Sequence, residues 1–167
     1  MKLTVKKIML ALLGINILLA GWTVWSVRQH HQRPALDFLC ESTLAMHHSS
    51  DGDGRTFDFD GTVVVRFRPD ETGYIWLMGS ASQAAKTTTV AREISFRYRS
   101  KDEKGIYAVT VASHNRAARD DTPDALIEQN ISGPQGATSS YVVRRANANT
   151  YSIGGIYSPI VMCVDRS

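Results

Sequence analysis

The chain opens on one unbroken apolar run and then switches to short alternating bursts of polar and apolar residues. From Ile8 to Val27 the run IMLALLGINILLAGWTVWSV carries no charged side chain. About twenty helical residues at roughly 1.5 Å each cross a hydrocarbon core of about 30 Å. Lys2, Lys6 and Lys7 precede the run, Trp22 and Trp25 stand near its far end, and Arg28 closes it. That pattern predicts a transmembrane helix over 8–27 with residues 1–7 cytoplasmic. A cleaved signal peptide is the rival, but it calls for a shorter apolar region ending in small residues, which Val24-Trp25-Ser26 does not supply. Asn16, the strongly polar side chain within the span, is a candidate for an interhelical hydrogen bond.

Residues 28–36 are polar, contain Pro34 and read as a juxtamembrane linker, so the folded domain is expected over 37–167. The spacing of Leu36, Leu39, Leu44 and Met46 fits neither period, which leaves a strand or a short helix around Cys40. After a Ser/Asp/Gly loop at 49–54, Phe57, Phe59, Val63, Val65 and Phe67 fall on one face of a strand. Pro69-Asp70-Glu71-Thr72-Gly73 reads as a turn. Tyr74–Ser82 is a second strand, apolar on both faces, and Thr87–Arg99 a third that sets Val90, Ile94, Phe96 and Tyr98 against Glu93, Ser95, Arg97 and Arg99. A charged turn at 101–105 leads to a strand with Tyr107, Val109 and Val111 on one side. Thr122 is a fair N-cap and Pro123 suits a first helical position, so a short helix is expected there. Two strands, about 139–146 and 151–164, follow, joined by a turn at Asn147-Ala148-Asn149. Gly154-Gly155 is expected as a bend or bulge, and Pro159 as the mark of an edge. The fold class is therefore mainly β with a minor α component: an N-terminal transmembrane helix, then an antiparallel meander or partial barrel with one short helix.

With 167 residues and a hydrophobic fraction of 43%, the chain has room for one compact domain. The net charge of +3 belongs partly to the N-terminal lysines, and the remaining charges interleave without a basic stripe, so direct nucleic-acid binding is not expected. Cys40 and Cys163 are the two cysteines. A bond between them would close nearly the whole domain and would persist in an oxidising periplasm; in a reducing cytosol they would be buried thiols. The disulfide and a periplasmic domain are expected together.

The chain has no G-x-S-x-G, no H-E-x-x-H and no phosphate loop, so catalysis is not expected. His47-His48 with Asp51 and Asp53 has ligand chemistry, but neighbouring strand residues point to opposite faces, and the position where a calcium loop needs glutamate is Thr62. No metal site is expected, and His30-His31 reads as a polar collar. Arg92 stands on the apolar face of its strand, where a buried guanidinium requires an anionic or polar partner. One possibility is a pocket in which Arg92 meets an anionic amphiphile, lined by Phe67, Trp76, Phe96 and Tyr98. The other is a strand end or bulge that turns Arg92 to water, with the aromatics as ordinary core.

The lysine-flanked anchor, Cys40, the run DGTVVVRFRPDETGYIWLMGSAS, the following REISFRYRS, Asp121-Thr122-Pro123-Asp124 and Cys163 together resemble the FidL-like family of membrane proteins. The resemblance implies a partner of the ToxS kind: a small periplasmic protein paired with a ToxR-like single-span regulator that carries a cytoplasmic winged-helix domain. It also implies a lipocalin-like barrel shared by the two periplasmic domains, in some systems enclosing a bile salt. The expected function is thus a non-enzymatic inner-membrane accessory without a cofactor, its partners being the regulator, the bilayer and an amphipathic small molecule. The alternative is a stand-alone tethered domain that binds a ligand or assists folding.

Overall fold

A computed structural model describes residues 13–25, 36–49, 56–102 and 104–167. The chain divides into two compact units, Met1–Pro34 and Ala35–Ser167. In the first, residues 13–25 form a helix, α1. Trp22 and Trp25 meet edge to face at 5.7 Å, and the Thr23 hydroxyl donates to the Ala20 carbonyl at 2.9 Å. No helix among the described residues is long and apolar enough to cross a membrane. The ends of the expected span, 8–12 and 26–27, lie outside the described residues, as do His30-His31, Asp51 and Asp53.

The second unit is a closed antiparallel barrel in which eight strands follow one another in chain order. They are β1 (Phe38–Ser49), β2 (Thr56–Phe67), β3 (Thr72–Gln83), β4 (Lys86–Ser100), β5 (Ile106–Arg116), β6 (Thr138–Asn147), β7 (Thr150–Gly154) and β8 (Pro159–Asp165). Between β5 and β6 lie α2 (Asp124–Ile127) and a π-helical turn (Glu128–Ser132). The two-residue alternation sends Phe38 and Cys40, Phe57 to Phe67, Leu77, Val90 to Tyr98, Val109, Val111, Val161 and Cys163 into one buried core. Burial rather than propensity drives this arrangement, because each such aromatic or aliphatic side chain is worth roughly 1.5–3 kcal/mol when removed from water.

Two glycine features let β3 lie close to its neighbours. Gly61 and Gly79 face each other across β2 and β3, and a Cβ on either would meet the opposite backbone at 2.2 Å. At Gly73 a Cβ would fall 2.4 Å from the Phe96 ring, so that ring lies where a side chain would otherwise stand.

Several expectations change. The undecided segment around Cys40 is a strand, paired with β2 along its whole length. Gly73 belongs to β3 rather than to the preceding turn. The segment read as one strand over 151–164 is two, because the chain reverses between Gly154 and Pro159; the meander gains the strands it needs to close. Thr122 does not cap α2: its hydroxyl lies 2.9 Å from the Thr89 carbonyl and from the Thr88 hydroxyl, so β4 has taken it from the helix. β5 runs further than its alternation suggested, because Ala112 is an extra residue: Val111 faces Phe96 and Ser113 faces Ser95. This bulge shifts the phase, so that His114 lies opposite Ile94 and Arg116 opposite Arg92.

Candidate functional site

Arg92 points into the protein between Val90 and Ile94, and none of its side chain is exposed. The expectation that a strand end or bulge turns it to water does not hold, because β4 runs past it without interruption. Its guanidinium is met by the chain's own acids. Nε donates to Asp120 Oδ2 at 2.8 Å, and Nη2 to Asp120 Oδ1 at 2.7 Å and to the Thr122 carbonyl at 2.6 Å. Nη1 donates to Asp124 Oδ1 at 2.9 Å. The pair with Asp120 is the two-pronged geometry that makes arginine–carboxylate contacts strong.

The same carboxylate finishes a strand edge. β4 continues to Lys86, but its pairing with β5 stops at Arg92–Arg116, leaving the N–H groups of Thr89 and Ala91 without a strand on that side. Asp120 Oδ2 accepts from the Ala91 N–H at 2.9 Å and Asp121 Oδ1 from the Thr89 N–H at 2.5 Å. The Ala117 and Asp121 N–H groups donate back to the Ala91 and Thr89 carbonyls at 2.8 and 3.1 Å. Residues 117–122 thus replace a strand, with carboxylates standing where carbonyls would be. Burial alone pushes the Asp120 carboxyl up, but the bonds from Arg92, Ala91 and Thr122 outweigh it and hold it below the ordinary carboxylate range. Burial likewise works against the Arg92 charge, yet Asp120 and Asp124 raise its affinity for the proton above the usual arginine value. His114 tethers the next part of this strap, the segment 117–132 between β5 and β6: Nε2 lies 3.0 Å from the Ser132 hydroxyl and Nδ1 3.5 Å from Glu128.

Among the aromatics considered with Arg92, three come together. The rings of Phe67, Phe96 and Tyr98 pack edge to face at 5.0 to 6.5 Å, continuing to Phe38 and Tyr107. Trp76 does not join them, since it stands opposite Val64 and Glu93, on the alternate face of β3 from the buried Leu77. The Tyr98 hydroxyl donates to the Arg68 carbonyl at 2.6 Å, and burial pushes its pKa up to about 12.

Cys40 and Cys163 are joined by a disulfide, both fully buried. It lies where first and last strands meet, a seam with only Cys40–Asp165 and Glu41–Val164 as paired residues. Ser42 Oγ reaches the Met162 carbonyl at 2.8 Å; beyond it, among the described residues, Thr43–Ser49 pair with β2 alone. Along β8, Ile160, Met162 and Val164 are exposed, and in the connection before it so are Ile156 and Tyr157, the latter almost completely. In the barrel unit no other described large hydrophobic side chain is so exposed. His47 bonds Asp58 through Nδ1, and no group of metal-ligating side chains occurs among the described residues.

A family model described as FidL-like putative membrane protein matches residues 79–163, 85 of the 167. The chain belongs to the FidL-like family. No curated protein and no solved structure matches it. The matched stretch of this FidL-like protein holds Arg92, its three acceptor residues and Cys163, so the strap and the second half of the disulfide both lie within it. The acids that meet Arg92 went unread in the sequence. The signal was there: a buried arginine demands a carboxylate, and Asp120-Asp121-Thr122-Pro123-Asp124 is an acidic cluster between two strands.

Proposed function

We propose that this FidL-like protein is a non-enzymatic inner-membrane accessory that pairs through its barrel with a ToxR-like single-span regulator and stabilises it. In this reading the apolar run over 8–27 crosses the bilayer with residues 1–7 cytoplasmic, and the disulfide-bonded barrel lies in the periplasm. Asn16 serves as a contact between helices in the bilayer. The observation that carries the proposal is the short β1–β8 seam flanked by the exposed stripe of Ile160, Met162 and Val164. A strand edge that no strand among the described residues covers, beside apolar surface, suits an added strand from a partner. A bile-salt-like amphiphile would need space created by that added strand, because Phe38, Phe57, Phe59, Phe67 and Phe96 already occupy this barrel's own interior.

Co-expression with a ToxR-like single-span regulator tests the pairing. The two proteins should co-purify, and an Ile160→Ser/Met162→Ser/Val164→Ser variant that still forms its disulfide should lose the regulator and lower its abundance. If regulator abundance and output are indifferent to the accessory, the pairing is wrong and the stand-alone tethered domain is the better account.

A further inference from the structure

We propose that a cleft at the end of the barrel, between the β3–β4 turn and α2, binds a small organic anion: a carboxylate on a short apolar chain. The cleft holds about 210 Å³ and is lined by Gln83 and Lys86 from the turn and by Pro123, Ala125, Leu126 and Gln129 from the strap, over Thr88. Four of these side chains are polar; the Thr88 hydroxyl is bonded to the Ala81 carbonyl and the Thr122 hydroxyl, whereas among the described residues none of Gln83, Lys86 and Gln129 has its side chain in a hydrogen bond or ion pair. These three offer an ammonium and two primary amides. Pro123, Ala125 and Leu126 supply an apolar wall. A few convergent polar groups set against an apolar wall are what orients a small ligand.

Charge selects the anion. Asp124, which adjoins the wall, is turned to Arg92 at 2.9 Å and to Arg116 at 3.8 Å, so it does not neutralise Lys86. Lys86 therefore remains as the cleft's charge, and a carboxylate is its complement. Size selects a short chain, since the volume lies below the usual range for drug-sized ligands of roughly 300–1,000 Å³. The lining of the cleft shares no residue with the β1–β8 seam.

The cleft is also preorganised. Its strap wall is fixed to β4 by the Arg92 bonds, so the two walls do not drift apart. The other wall rests on Ala84 and Ala85, both in the left-handed region with φ of 51° and 64°. Two non-glycine residues there carry left-handed strain.

The test uses the full chain in detergent micelles, with amide and methyl resonances followed by NMR during titration with sodium butyrate. Saturable shifts are expected at the side-chain amides of Gln83 and Gln129 and the methyls of Leu126, with Kd on the order of millimolar. Butylammonium at equal ionic strength should give none. Lys86→Met should weaken butyrate binding at least about tenfold, whereas Lys104→Met, a lysine at the other end of the barrel, should not change it. Shifts that never saturate, an equal response to butylammonium, or an unaltered titration in Lys86→Met would each overturn the proposal.

Discussion

At the scale of single residues, Arg92 and Asp120 show how a buried charge is tolerated. Each is desolvated, and each is compensated: four guanidinium bonds on one side, and bonds from Arg92, Ala91 and Thr122 on the other. Removing one partner leaves the other buried without its complement, which typically costs about 3–5 kcal/mol. Arg92→Met should therefore lower the denaturation midpoint strongly at neutral pH. The sign of the acid effect follows from Asp120. Its folded-state pKa is depressed, so its contribution is present above the unfolded value of about 3.9 and is lost as pH falls through the folded value. Asp120→Asn should lower stability at pH 7 but flatten the fall below about pH 4, as denaturant titrations at the two pH values would show; an unchanged acid limb would place the acid sensitivity elsewhere. The inward aim of Arg92 was legible from strand alternation. Asp120 was not, because it reaches Arg92 across 28 residues and lies in a segment whose Thr122-Pro123 suggested only a helix start.

At the scale of elements, the long central strands were legible and the interruptions were not. The regular alternation of β2 and β4 has one outcome, since a one-residue slip would turn Phe57, Phe59 and Val63 to water. Two local events escaped. The extra Ala112 looks like any other small residue of β5, yet it reverses the facing of His114 and Arg116. The chain reversal after Gly154 shows in the sequence only as a bend or bulge, because Pro159 and the residues beyond resume the alternation as if unbroken. The β3–β4 turn shows a third kind of departure. Two-residue hairpin turns with both φ positive favour Asn-Gly, and here Ala84-Ala85 fills the place. Ala84→Asn with Ala85→Gly should relieve left-handed strain of about 1 kcal/mol or more and raise the thermal midpoint accordingly. A lower midpoint would mean that the alanine methyls make contacts that outweigh the strain.

At the scale of the whole molecule, the barrel is closed unevenly. β1 to β4 are joined by ladders of eleven or twelve residue pairs, whereas β1 and β8 share two. The backbone therefore contributes little to closure at the seam, and the disulfide between Cys40 and Cys163, 123 residues apart, supplies the missing constraint. Loop-closure entropy for a ring of that size corresponds to roughly 4–5 kcal/mol in the unfolded-state model. Cys40→Ser should lose much of that stability, and the loss should not be uniform. Protection from hydrogen exchange should fall first in β1 and β8, where the disulfide no longer holds the seam, and last in β2 to β4, whose ladders remain intact. Exchange measured on the full chain, oxidised and Cys40→Ser, resolves the order; a loss spread evenly over all eight strands would mean that the seam is no weaker than the rest. The same experiment bears on pairing with a regulator. A partner strand added along Thr43–Ser49 would restore protection to β1 in the Cys40→Ser protein, because it would supply the backbone acceptors that β8 does not.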